Sequence, residues 1–144
     1  MTGATLLVEV VGQLAAGQAR EVPQDERRAT YAHRIMREDG VIDWGLPAKA
    51  IHNLVRGLDP WPHAFTFLDG TRLIVIQSKP LGSGGSHPAP GTIVRASGDG
   101  LVVAAGDGFV QLLRIQPEGR RALTAREFLA GRSVRPGSTL GPHA

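Results

Sequence analysis

Apolar residues recur along the chain with a helical period near the N-terminus and with a β period from residue 64 onward. In residues 3–16, Leu7, Val10 or Val11, and Leu14 fall at i, i+3/i+4 and i+7, and Gly17 follows as a stop, which predicts one amphipathic helix. Its apolar face calls for a partner. Residues 18–40, QAREVPQDERRATYAHRIMREDG, are polar and charged with little periodicity and read as a linker. A second helix, 48–56, is predicted by Pro47 at its start, by the stripe Ile51, Leu54, Val55 and Leu58, and by the stop signals Gly57 and Pro60. Lys49, Asn53 and Arg56 stand off that stripe.

From Ala64 the pattern is that of strands. AFTFLDGTRLIVIQSKPL reads as two runs joined at Asp69-Gly70, and TIVRASGDGLVVAAGDGFVQLLRI repeats the device at Asp99-Gly100 and Asp107-Gly108. Asp-Gly between apolar runs predicts antiparallel hairpins, because the turns that match strand twist need positive φ. Five to six short strands in so few residues would leave exposed edges in a flat sheet, which favours curling into a small open barrel. Between the strand groups, GSGGSHPAPG reads as a mobile loop. Thr124 and Glu127 have the spacing of a capping box and predict a short helix, 124–130, ended by Gly131. RPGSTLGPHA reads as a tail that frays at its end.

Composition narrows the class. The 144 residues suffice for one ordinary domain with extensions. Gly 19 and Pro 10 make about a fifth of the chain against a usual share of roughly 12%, in keeping with many tight turns. Cysteine is absent, so packing alone must hold the fold, as suits a cytoplasmic protein. No apolar run approaches the ~20 residues of a membrane helix, and the N-terminal segment, with Glu9 and no basic start, is not a signal peptide.

Net charge is +3, and all but Lys49 and Lys79 of the 16 basic residues are arginine. From Val110 on, Arg114, Arg120, Arg121, Arg126, Arg132 and Arg135 face only Glu118 and Glu127. A second group, Arg27, Arg28, Arg34 and Arg37, lies among Asp25, Glu26, Glu38 and Asp39. This distribution fits a polyanion partner, since each neutralised phosphate releases counterions; it also fits a plain solvated face. His33, His52, His63, His87 and His143 lack metal-ligand spacing, and no nucleophile elbow, Walker loop or dinucleotide fingerprint occurs. Asp69, Asp99 and Asp107 are accounted for by turns, so no self-contained active site is legible.

YAHRI, then GVIDWGLPAKAIHNLVRGLDPWPHAFTFLDGTRLIV, PGTIV and DGLVVAAGDGFVQLLRIQPEGRRALTAREFLAG resemble the C-terminal part of methionyl-tRNA formyltransferases. The Ile-Asp-Trp run, the Ile-His-x-Leu-Val-Arg-Gly-Leu helix and the Pro-Trp-Pro-x-Ala-Phe-Thr run stand in the family's order. By that resemblance, residues 1–20 correspond to the last helix of the family's catalytic domain, 21–40 to its linker, 41–140 to its C-terminal domain, and 141–144 to a tail. The implied fold is a mainly β, open, oligonucleotide-binding-like barrel of about five to six antiparallel strands with two short helices.

The implied function is formyl transfer from 10-formyltetrahydrofolate to initiator methionyl-tRNA in translation initiation. The family's catalytic residues and folate pocket belong to a domain this chain lacks, so the resemblance implies no catalytic residue, no cofactor and no metal here, and no activity alone. It does imply an accessory grip on initiator tRNA, with Arg34 and Arg37 matching basic linker positions and Arg114, Arg120 and Arg121 on the last strand and following turn. A separately encoded catalytic domain is the implied protein partner. A protein-docking role, or an accessory barrel of another 10-formyltetrahydrofolate-dependent formyltransferase, is the alternative.

Trp44 and Trp61 bracket helix 48–56 and read as clamps that pin it to the first hairpin, because Ile42, Leu58, Phe65 and Phe67 surround them; stacking on a base is the alternative. Two positions depart from the family pattern. His63 stands where a Gly is usual and must turn the chain without that freedom, and Gly45 replaces a polar residue, which leaves the helix start poorly capped.

Overall fold

The computed structural model describes residues 2–82 and 88–141. The Gly/Ser-rich centre of the expected loop, residues 83–87, and the last three residues of the expected tail lie outside the described residues, as do His87 and His143. The chain divides into two compact units, Met1–His33 and Arg34–Ala144.

The first unit contains helix α1, Gly3–Ala15, and a single 3-10 turn, Glu26–Arg28. Helix α1 closes at the expected Gly17, whose φ of 66° lets the Gln18 amide reach the Gln13 carbonyl and the Gly17 amide reach that of Leu14. Leu6, Leu7, Val8, Val10, Val11 and Leu14 are all exposed.

The second unit is built on six antiparallel strands: β1 (Ala64–Leu68), β2 (Thr71–Leu81), β3 (Ile93–Ser97), β4 (Gly100–Ala104), β5 (Phe109–Pro117) and β6 (Leu123–Thr124). They lie in the order β1-β2-β5-β4-β3, and β6 takes up the side of β5 that β4 leaves beyond Leu112. Bulges in β2 between Val75 and Ser78 bend the sheet, and Pro80 falls in the part of β2 that pairs with β5 and no longer with β1. Helix α2, Ala48–Gly57, buries Ile51 and Val55 and covers the sheet, with Leu58 buried just past its end. Helix α3, Ala125–Gly131, has the expected capping box and buries Phe128. Leu73, Val75, Ile93, Val103, Leu112 and Ile115 fill the space between the sheet's curled halves.

The three Asp-Gly pairs do different work. Asp69 and Gly70, at φ 49° and 73°, make the expected two-residue turn. The second turn is Gly98-Asp99 instead, with Gly98 at φ 54° and Gly100 already paired to Ser97. Between β4 and β5 the loop is four residues long, Ala105 to Gly108, and neither Asp107 nor Gly108 has positive φ. Asp107 instead accepts from the Ala48 amide at 2.7 Å, so the poorly capped start of α2 is capped from 59 residues away.

The sheet stays open, and the segment Gly137–Gly141 hydrogen-bonds to both of its edges. At the β3 side the Gly137 amide donates to Ile93 and the Ile93 amide to Ser138, both at 2.8 Å. At the β1 side Phe67 and Gly141 exchange bonds of 2.9 and 3.1 Å. Leu140, between them, is buried. The tail is therefore tied into the domain as far as Gly141.

Trp44 is buried beside this strap. Its Nε1 donates to Thr66 Oγ1 at 3.1 Å, and that hydroxyl donates to the Gly141 carbonyl at 2.9 Å. Trp61 does not share the role: the residue is 56% exposed, while Leu58 and Pro62 near it are buried. His63 turns the chain at φ 67°, as its position demanded.

Replacing Thr66 by Val removes both hydroxyl bonds at a fully buried position and leaves the indole N–H without its acceptor, which should lower unfolding free energy by about 1–3 kcal/mol. Urea unfolding followed by Trp44 fluorescence reads this out. A midpoint equal to that of the parent protein would show that the relay carries none of the closure.

Candidate nucleic-acid interface

The basic side chains sort by what they touch. Arg126 is fixed to Asp99 by two hydrogen bonds of 2.9 Å, and that bonding, with the attraction of the guanidinium, holds the Asp99 carboxyl below its usual range. Arg27 pairs with Asp25, and the Arg72 guanidinium lies 3.8 Å from the centre of the Phe65 ring. These three are engaged with other side chains.

A groove of about 660 Å³ opens between the turn after β5 and helix α3. Pro117, Leu123 and Phe128 give it apolar walls, and Arg120, Arg121, Arg132 and Glu127 supply its charge, a net two positive charges. The groove follows from local rules. Gly119, at φ 68°, turns the chain out of β5, the Arg120 amide closes that turn onto Pro117, and β6 and the capping box set α3 directly behind it.

Glu127 accepts three hydrogen bonds. One of its oxygens takes the Thr124 amide at 2.8 Å and the Thr124 hydroxyl at 3.0 Å, and the other takes Arg121 at 2.9 Å. Chiefly the backbone bond from Thr124, then the Arg121 and Thr124 side-chain bonds, bring its carboxyl from 4.5 down to about 2. It therefore stays charged while it aims Arg121 along the groove. Arg132 is steadied from the far side by the Leu68 carbonyl at 3.4 Å and by Asp69 at 3.3 Å. Among the described residues no carboxylate pairs with Arg120.

Of the arginines expected at an RNA surface, the structure brings Arg120 and Arg121 together and adds Arg132, which sequence spacing does not reveal. Its place depends on the end of α3 meeting the β1–β2 turn. Arg114 is exposed on β5 opposite Thr124 and outside the groove. Arg34 and Arg37 are exposed in the segment that leads to the turn Glu38–Gly40, also outside it. His52 bonds Ser78 at 3.2 Å and is half-buried. Among the described residues no group of three or more His, Asp or Glu could hold a metal ion, and no helix is long and apolar enough to cross a membrane.

An open six-stranded sheet with a basic groove beside its last helix defines a small β domain. The model of the formyl transferase C-terminal domain matches residues 34–133, and the chain belongs to that family. It is 41% identical over 98% of its length to the methionyl-tRNA formyltransferase of Geotalea uraniireducens, and 39% identical over 98% to that of Bacillus velezensis. It covers 44% of each, so it spans less than half the length of these relatives. Among solved structures, a variant of HypX from Aquifex aeolicus shares the fold at a TM-score of 0.60 and 17% identity, over 90% of this chain and 23% of that one. HypX in complex with tetrahydrofolic acid matches at a TM-score of 0.56 and 18% identity, over 85% and 22%.

The Glu127 carboxyl titrates lower in the folded chain than when free, so its stabilisation is full above about pH 4.5 and is lost as pH falls toward 2. Glu127→Gln should be less stable than the parent at neutral pH and should lose less between those limits. Urea unfolding at a series of pH values measures it, and parallel profiles for the two proteins would contradict the assignment.

Proposed function

We propose that this chain is the RNA-gripping C-terminal portion of a methionyl-tRNA formyltransferase, acting in the cytoplasm to hold initiator methionyl-tRNA while a catalytic portion transfers the formyl group from 10-formyltetrahydrofolate. The observation that carries the proposal is the groove in which Arg120, Arg121 and Arg132 converge, with Glu127 paired to Arg121, Asp69 to Arg132, and no carboxylate among the described residues paired to Arg120. Guanidiniums so placed bind phosphate oxygens through paired N–H donors and fix the register of an RNA without reading its bases. The names of the curated relatives and the match to the family model support the same reading. The reaction's chemistry is assigned to no residue here.

Binding to fluorescent initiator tRNA, followed by anisotropy, should weaken linearly in log-log form as salt rises. Arg120→Gln and Arg132→Gln should each reduce that slope by about 1, because each removes one phosphate contact. Arg126→Gln, whose guanidinium is paired with Asp99 and lies outside the groove, should leave it unchanged. A salt-independent affinity, or an Arg126→Gln effect as large as that of Arg120→Gln, would overturn the proposal.

A second reading, protein docking, is favoured by the exposed apolar residues of α1. Light scattering that finds a concentration-dependent dimer, abolished by Leu7→Asp, would support it; a monomer at all concentrations would not.

A further inference from the structure

The loop between α2 and β1 holds a large apolar ring outside the core. Trp61 is 56% exposed, while Trp44 is 4% exposed. A tryptophan buries about 150–250 Å² when fully packed, so much of that area stays uncovered here. The loop behind the ring is braced. The His63 amide donates to the Leu58 carbonyl at 2.9 Å, and Leu58 and Pro62 are buried. A ring presented on a fixed loop loses little further conformational freedom when it is covered, which favours docking.

Two features decide what covers it. First, charge: from Leu58 to Thr71 the chain has no lysine or arginine, and Asp59 stands two residues from Trp61, so the loop itself brings a carboxylate and no guanidinium to the ring. Second, position: Gly40 packs so closely on the His63 carbonyl that a Cβ there would overlap it, and the next two residues are held to Phe65, Val41 by a bridge and Ile42 by a 2.8 Å bond. The preceding chain thus enters this unit beside the loop. A folded unit attached through such a linker meets Trp61 at an effective concentration of about millimolar. The curated relatives carry more than half of their length outside the match.

We propose that Trp61, with the exposed Pro60 beside it, is a docking pin for a folded formyltransferase catalytic domain, received in an apolar pocket that offers an acceptor to the indole N–H. This rests on the reading of the chain as a formyltransferase C-terminal portion, but not on RNA binding.

The test labels the full chain with 5-fluorotryptophan, which gives one fluorine signal for Trp44 and one for Trp61. The probe is the N-terminal portion of the Geotalea uraniireducens relative, first shown to unfold cooperatively. Adding it should shift the Trp61 signal and leave that of Trp44 in place. Trp61→Ala should weaken the complex at least tenfold, and Trp61→Phe should restore part of the loss. No complex, a complex with the Trp61 signal unmoved, or an unchanged affinity for Trp61→Ala would overturn the proposal. A Trp61 shift produced by initiator tRNA instead would make the ring a base-stacking platform and would also overturn it. Loss of the salt-dependent tRNA affinity with the fluorine result intact would remove the RNA reading alone.

Discussion

The carbonyl of Gly141 accepts from two donors, the Phe67 amide and the Thr66 hydroxyl, and most of the barrel unit depends on that junction. An open sheet of six strands has two edges whose unpaired amides and carbonyls must find partners. The strap from Gly137 to Gly141 supplies them at the β3 edge and then at β1. Val41 and Ile42 occupy the same outer edge of β1 at Phe65. Both ends of the unit therefore close on one strand, and Trp44 ties them together through Thr66. Gly91 is required at this crossing, because a Cβ there would collide with the Leu140 carbonyl and its φ of 86° suits no other residue well.

What was legible in the sequence was what short-range chemistry decides. The stripe Ile51, Leu54, Val55 and Leu58 and the Thr124–Glu127 spacing each specify a helix within one or two turns, and both helices are present. Asp69-Gly70 specifies its turn for the same reason. The misreadings are long-range. Asp107 looks like a turn residue until the fold brings it to the start of α2, and nothing in residues 137–141 announces a strap, because its partners lie on β1 and β3. Trp61 looks like a core residue by composition, yet of the two tryptophans flanking the helix Trp44 alone is buried.

The same limit applies to the interface. Charge counts mark the C-terminal third as basic, but they do not tell a free guanidinium from an engaged one. Asp99 pairs with Arg126 outside the groove, Phe65 takes Arg72, and Glu127 pairs with Arg121 at the groove itself. Arg132 joins the site only because α3 ends against the β1–β2 turn. A groove held by a capping box and a salt bridge is set before any ligand arrives, so less ordering is required on binding.

Closure by the strap is the claim on which the rest stands, and native-state hydrogen exchange tests it directly. The amides of Phe67, Ile93, Leu140 and Gly141 donate across the strap's contacts, whereas Leu112 lies deep in the core. If the strap closes the domain, those four amides exchange only through the global opening that exposes Leu112, with the same protection and the same response to denaturant. Fast exchange of the four while Leu112 stays protected would show that the sheet holds itself together without the strap.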